Sequence, residues 1–295
     1  MSPVDAVNRA VWSFGWAAGP TLLRPAVVRR SLGTLGAKIA TRQPRHHLEQ
    51  WRTNVTLATG LRPTDDDVAQ AVSSYVRNVT ESFVLPSWPA HRIVSSVTTD
   101  PVGEQHLREA MATRGAVVAL PHIGSWDHAG AWACATGMPV STVAEQLGDQ
   151  EFAAFKRYRE RLGFRIYSHR DPAALAGLCA DASDGYLVCL VADRVFEGKG
   201  LEVAWPTGNG GTRPVLAPPG PAVVARRTGA MLIGCAAHFT RSGIHLAFSD
   251  PVELRRGYDG LVAMTQDLVT FFAGQVAASP TDWHVFQPFF SDGAT

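Results

Sequence analysis

The sequence predicts an α/β fold, a central, mostly parallel sheet flanked by helices, preceded by a helical, membrane-associated N-terminal region. Three observations carry this reading. Short runs rich in valine and alanine show no polar alternation, as strands buried on both faces do. From about residue 91 onward such runs alternate with segments of helical periodicity, the pattern of strand–helix–strand units. Before that point the apolar spacing is helical only. At 295 residues and 46% hydrophobic, the chain can bury a sizeable core. It reads as a single domain over 1–295, with a helical region over 1–90 and an α/β core over 91–295.

Taken in order, Ala10–Val28 is apolar but interrupted by Gly15, Pro20, Arg24 and Pro25, which argues against a transmembrane helix. Asp5 and the lack of a clean small-residue cleavage site argue against a signal peptide. Trp12, Phe14 and Trp16, with Arg24, Arg29, Arg30, Lys38, Arg42 and Arg45 close by, suit a segment lying in a membrane interface. The alternative is an amphipathic helix packed on the domain. His47–Thr59 reads as a helix. Thr64 caps the next, with Asp65–Asp67 in its first turn and Val68, Val72, Tyr75, Val76 and Val79 at helical spacing, and Pro86 and Pro89 end it.

Val94–Thr99 reads as a strand, Gly103–Arg114 as a helix, Ala116–Leu120 as a strand and the segment up to Ala135 as its helix. Pro139–Ala144 is a strand, Asp149–Leu162 a basic helix, Arg165–Ser168 a short strand, Pro172–Asp184 a helix and Tyr186–Val191 a strand. Phe196–Gly211 reads as a long glycine-rich loop. A helix over Pro219–Thr228, strands over Met231–Phe239 and Ile244–Phe248, and an amphipathic helix over Tyr258–Ala278 complete the chain.

The chemistry concentrates in GAVVALPHIGSWDHAG, residues 115–130. Pro121 ends the strand, His122 follows in the turn, and Ser125 caps the next helix with Asp127 in its first turn. Open α/β sheets place their chemistry at such carboxyl ends of strands. With His122 in the turn and Asp127 on the helix, the carboxylate can fold back to one imidazole nitrogen and leave the other facing outward. A histidine so held is a general base. No GxSxG elbow is present, so the base acts on a hydroxyl of the substrate. Two further strand ends deliver Glu145 and the pair Asp193/Arg194. The latter either pair with each other to hold the strand end or line the site. Of Arg157, Arg159 and Arg161, most belong to a solvated helix face, with room for one to enter the cleft.

Other classes recede. A net charge of +1 lacks the basic excess of a nucleic-acid binder. Cys134, Cys179, Cys189 and Cys235 form no CxxC and read as buried free thiols in a reducing compartment. No metal spacing and no HExxH occurs, so no metal is expected. GNGG at 208–211 lacks the lysine of a phosphate loop and reads as a turn. His46 and His47 read as surface residues, and His128 as a neighbour of the site.

LPHIGSWDHAG, VAEQL, FKRYRERLGF, VADR with GLEV, ARRTGA and PTDWHVFQPFF, spread over roughly residues 115–290, together resemble a known family. HIGSWD is similar to the HxxxxD block of glycerolipid and lysophospholipid acyltransferases. The spread of motifs is similar to the bacterial branch that acylates glycolipids, lipid A lauroyl and myristoyl transferases and, more closely, the actinobacterial phosphatidylinositol mannoside acyltransferases. The resemblance implies transfer of a long acyl chain, palmitoyl-like, from acyl-CoA to a mannose hydroxyl of a phosphatidylinositol mannoside. A lysophospholipid or lipid A-like acceptor, or a non-catalytic lipid-binding protein of the same fold, is the alternative. It implies His122 as base, Asp127 as its orienting partner, and Glu145, Arg159 and Glu202 around the acceptor, with Arg157, Arg161 and Glu197 as near neighbours of the last two. Where relatives show an aromatic pair before the glycine, this chain has WPTGNGG.

The expected partners are acyl-CoA as co-substrate, a glycolipid acceptor and the cytoplasmic face of the cell membrane, with peripheral attachment and no other cofactor. Backbone N–H groups around Gly124–Trp126 would meet the oxyanion. Lys199, Arg213, Arg226 and Arg227 are the candidates for the CoA phosphates.

Overall fold

In a computed structural model of the chain, residues 21–23, 28–29, 31–35, 46–146, 148–195 and 198–290 are described. Most of the proposed interfacial segment lies outside them, with Trp12, Phe14, Trp16, Arg24, Arg30, Lys38, Arg42 and Arg45, as does Glu197. Arg29 lies inside them and turns inward. It is buried, donates from Nη1 to the Leu23 carbonyl at 2.6 Å and sits 5.8 Å from the Trp88 ring centroid.

Two helices open the core, α1 (His46–Thr59) and α2 (Asp65–Val84). Thr64 and Asp67 form a reciprocal capping box at the start of α2, satisfying N–H groups that a helix end leaves unpaired. A short helix α3 (Ala90–Ser95) and a strand β1 (Val97–Thr99) follow. The strand expected over 94–99 is thus shortened, because Pro89 at the N-cap starts a helical turn that runs through Ser95.

Then come α4 (Pro101–Thr113), β2 (Ala116–Leu120), α5 (Trp126–Ala135), β3 (Val140–Ala144), α6 (Asp149–Arg161), β4 (Arg165–Ser168), α7 (Ala174–Ser183) and β5 (Leu187–Val191). β6 (Leu201–Pro206), β7 (Thr212–Ala217), α8 (Gly220–Thr228), β8 (Met231–Phe239), β9 (Ile244–Phe248) and α9 (Gly257–Ala278) complete the order.

The main sheet has seven strands in the order β1-β9-β8-β2-β5-β3-β4. Every pairing in it is parallel except β8 with β9. β2 is central and buried along its whole length, as its unbroken apolar run predicts. Val117 and Ala119 face a core shared with α1, α9 and the β6–β7 hairpin, while Val118 and Leu120 face a second core under α5.

The glycine-rich stretch expected to be a loop is largely an antiparallel hairpin of β6 and β7. Its period-2 pattern is plain in hindsight, with Leu201, Val203 and Trp205 buried and Glu202 exposed. Helix α9 is long and apolar enough to cross a membrane by length and composition. Here its Met264, Leu268, Phe272 and Val276 are buried in the core that it shares with β6 and β8.

Candidate active site

The turn after β2 is shaped by close backbone approach. Gly124 adopts φ +58°, and a Cβ there would stand 1.7 Å from the Ala237 carbonyl oxygen. Only glycine fits both demands. Ser125 caps α5, its hydroxyl accepting from the His128 N–H at 3.4 Å. His122 is thereby left in the turn at the carboxyl end of the sheet, its side chain 21% exposed.

Asp127 is not the partner of His122. Its carboxylate turns away to Arg159 on α6, with Nε–Oδ1 at 2.7 Å and both side chains buried. Arg157 and Arg161 stay exposed, so Arg159 is the member of that basic trio that turns inward. Its guanidinium also lies 4.1 Å from the Phe155 ring centroid.

The imidazole is held instead by Asp193. β2 and β5 pair in parallel with Leu120 opposite Val191, so two residues further along His122 falls beside Asp193. Nδ1 lies 2.5 Å from Asp193 Oδ1, and the His122 backbone N–H donates to Oδ2 at 2.9 Å. The Trp283 indole N–H donates to the same Oδ2 at 3.0 Å. Burial pushes the Asp193 carboxyl up, but the charge of His122 and these donors outweigh it and hold it below the usual carboxylate range. An ionised carboxylate only accepts, so Nδ1 carries a proton, and in the neutral imidazole the lone pair is then on Nε2. Asp193 is therefore no substrate ligand, since it is buried and its oxygens are taken by protein donors.

The segment after α9 closes the site from behind. The Gly124 N–H donates to the Asp282 carbonyl at 2.9 Å and the His284 N–H to the His122 carbonyl at 2.8 Å. Ser74 on α2 donates to Asp282 Oδ1 at 2.7 Å and lies 3.0 Å from His284 Nε2, so that nitrogen donates to Ser74. Burial, and then the charge of His122, push His284 down to about 3. His284 is thus a neutral scaffold residue. The aromatic ring of Trp126 bridges the two histidines, with centroids 5.4 Å from His122 and 6.2 Å from His284. Ser74, Trp283 and His284 were not singled out by sequence reasoning. The one available signal was a cluster of aromatic and polar residues, PTDWHVFQPFF, directly after a long apolar helix.

The remaining candidates divide. Arg194 turns the other way along the strand end, its Nη1 donating to Gln287 Oε1 at 2.5 Å and its Nη2 lying 3.7 Å from Glu145 Oε2. Asp193 and Arg194 thus do not pair with each other. Glu202 stands on the outward face of β6 and makes no hydrogen bond or ion pair to the other candidates among the described residues. The strand's alternation puts its neighbours Leu201 and Val203 in the core instead. His128 is buried under α5, its Nε2 2.8 Å from Ser96 Oγ, and burial, then Arg77 and Arg92, push it down to about 4. Among the described residues no cluster of side chains suits a metal ion.

Of the amides expected around the oxyanion, two are engaged. Gly124 N–H is taken by Asp282, and Ser125 N–H by the Ala237 carbonyl at 3.3 Å. Trp126 and Asp127 are the first two residues of α5, positions whose N–H groups have no partner within a helix.

Near the dyad a half-open apolar cavity of about 60 Å³ lies between the sheet and α5. Val118, Leu120 and Val191 form its sheet wall and Ala129 and Trp132 its helix wall, with Asp127 and Arg159 also lining it. His122 is not among its walls; the Trp126 ring, which lines it, stands between the cavity and the imidazole, 5.4 Å from the latter by ring centroids.

The sequence as a whole has known relatives. The family described as bacterial lipid A biosynthesis acyltransferase matches residues 7–291. A phosphatidylinositol mannoside acyltransferase of Mycolicibacterium smegmatis is 34% identical over 289 residues, covering 94% of this chain and 91% of that protein. Two proteins of the same name from Mycobacterium tuberculosis, strains CDC 1551 and H37Rv, are each 32% identical over 297 residues, covering 97% of this chain and 90% of theirs. A match over nearly the whole length, on a fold that sets a carboxylate-bonded histidine at the carboxyl end of its central strand, makes this chain an acyltransferase belonging to the bacterial lipid A biosynthesis acyltransferase family.

Proposed function

We propose that this acyltransferase moves a long, palmitoyl-like chain from acyl-CoA to a mannose hydroxyl of a phosphatidylinositol mannoside, at the cytoplasmic face of the cell membrane. The observation that carries the reading is the His122–Asp193 pair at the carboxyl end of the sheet, one aromatic ring, Trp126, away from an apolar cavity. The names of the relatives support the acceptor. The aromatic and basic N-terminal segment, together with two amphiphilic substrates, supports peripheral attachment.

In this mechanism His122 Nε2 takes the proton of the sugar hydroxyl as its oxygen attacks the thioester carbonyl. The Nδ1 proton stays on the imidazole, and Asp193 stabilises the imidazolium that forms. The amides of Trp126 and Asp127 receive the oxyanion. Collapse of the tetrahedral species expels the CoA thiolate, and the imidazolium returns its proton to that sulfur. The cavity takes the acyl chain, each buried methylene contributing about 0.8 kcal/mol. Glu145, Arg194 and Gln287 meet the sugar. Lys199, Arg213, Arg226 and Arg227, all exposed, are the candidates to meet the CoA phosphates.

The test is a purified-enzyme assay with radiolabelled palmitoyl-CoA against phosphatidylinositol mannosides, lysophospholipids and a lipid A precursor, with CoA release followed by a thiol reagent. Label in the mannoside alone is expected. Equal label in another acceptor would overturn the acceptor assignment, and CoA release with free fatty acid and no labelled lipid would make the protein a hydrolase. H122A should lose transfer while binding palmitoyl-CoA as before; retained turnover would remove His122 as the base.

A further inference from the structure

The oxygens of Asp193 are unevenly shared. Oδ1 faces the His122 imidazole alone, while Oδ2 accepts both the His122 backbone N–H and the Trp283 indole. We propose that Trp283 is a positioning residue for the acyl transfer: its indole N–H fixes the plane of the Asp193 carboxylate and drains charge toward Oδ2, which limits how strongly Oδ1 holds the Nδ1 proton. The inference rests on the reading of His122 as the base.

The indole is placed to do this because it cannot turn. Trp283 is fully buried, stacks on Trp205 at 5.7 Å and meets the edge of Phe289 at 4.8 Å. Its carbonyl accepts the Trp51 indole N–H at 2.9 Å, and its backbone bridges to Ile123, the residue after the base. Carboxylate and imidazole backbone are thus tied to one rigid aromatic block.

The other ionisable groups around the pair are already committed. Asp127 pairs with Arg159, and Glu145 stands near Arg194. Asp282 accepts from Ser74 and from the Phe239 N–H, and His284 is held by Ser74. Removing the indole donor therefore acts on Asp193 and, through it, on His122. With Oδ2 relieved of one donor, Oδ1 attracts the imidazolium more strongly, so the pKa of the pair's base rises.

Trp205 supplies the control. It belongs to the same stack, is equally buried, and its indole N–H has no partner among the described residues. Trp205→Phe therefore trims the same kind of ring without removing a hydrogen bond, while Trp283→Phe removes both. The measurement is the pH dependence of kcat for wild type, W283F and W205F, with KM for palmitoyl-CoA. W283F is expected to raise the apparent pKa on the acid limb by about half a unit or more and to lower kcat several-fold at neutral pH, with KM nearly unchanged. W205F is expected to leave that pKa in place. An unshifted pKa in W283F, or the same shift in W205F, would overturn the proposal.

A second readout needs neither the variant's folding nor any substrate. In 15N-labelled wild type the Trp283 indole resonance should move with pH through the same midpoint as the His122 imidazole, while the Trp205 indole stays still. A Trp283 resonance that ignores the His122 titration would sink the proposal even if the enzyme proved active. A wild type without transferase activity but with coupled titrations would sink the acceptor and donor assignments and leave the coupling standing.

Discussion

Asp127 and Asp193 share a side chain and have exchanged the roles that spacing suggests. HxxxxD names a carboxylate five residues from the base, and local geometry allows it to fold back. Where it goes is decided by Arg159, which offers a buried cation from α6 at 2.7 Å. Asp193 reaches the imidazole only because β5 lies next to β2 in register, 71 residues away in sequence. The histidine in the turn and the existence of a strand-end acid were legible in the sequence; the order of strands, which pairs them, was not. Asp193→Asn should lower kcat by about 10³–10⁴-fold, because an amide cannot hold the proton on Nδ1 in the same way. Asp127→Asn should instead cost about 3–5 kcal/mol of stability in urea denaturation, by leaving Arg159 buried without its counter-charge. Turnover per folded molecule should stay within tenfold of wild type. A D127N enzyme as dead as D193N would restore Asp127 to the catalytic pair.

Among the elements, the β2–α5 turn was readable almost completely. Its buried strand, proline stop, serine cap and first-turn acid all appear where their chemistry places them. The glycine in its middle has a purpose that only the fold reveals, the approach of the β8 backbone at Ala237. Gly124→Ala should destabilise the protein by at least about 1–3 kcal/mol, read from the shift of the urea midpoint, since it strains φ and pushes on a carbonyl together. The β6–β7 hairpin was not readable as such. Glycines and charges at 196–211 drew attention away from three alternating apolar residues, Leu201, Val203 and Trp205. Glu202, which the resemblance implied near the acceptor, stands on the exposed face of that hairpin. The segment after α9 was visible as a motif but silent about its part, because its hydrogen bonds run to residues on α1, α2 and β8.

For the molecule as a whole, two buried histidines govern behaviour in acid. His284 is pushed down to about 3 and His128 to about 4, both chiefly by burial. In the unfolded chain each regains a value near 6.5. Below pH 6.5 the unfolded state therefore binds more protons than the folded one, and stability falls as pH falls. Each histidine contributes up to about 1.4 kcal/mol per pH unit between 6.5 and its folded value. Asp193, held low in the folded state, adds to the loss as pH falls below its ordinary carboxylate value, where the unfolded chain takes up a proton that the folded one still refuses. Urea midpoints measured from pH 7 to 4.5 should drop steadily, and His128→Gln should flatten the slope. A flat wild-type profile would mean that neither ring is sequestered.

The bonds that assemble the dyad's surroundings span most of the chain: Trp51 to Trp283 across 232 residues, Ser74 to His284 across 210, Asp193 to Trp283 across 90. Contacts between such distant stretches form late, after nearby helices and strands have condensed. On dilution from denaturant, helical circular dichroism should therefore recover well ahead of turnover, leaving for a while a compact enzyme that cannot yet work.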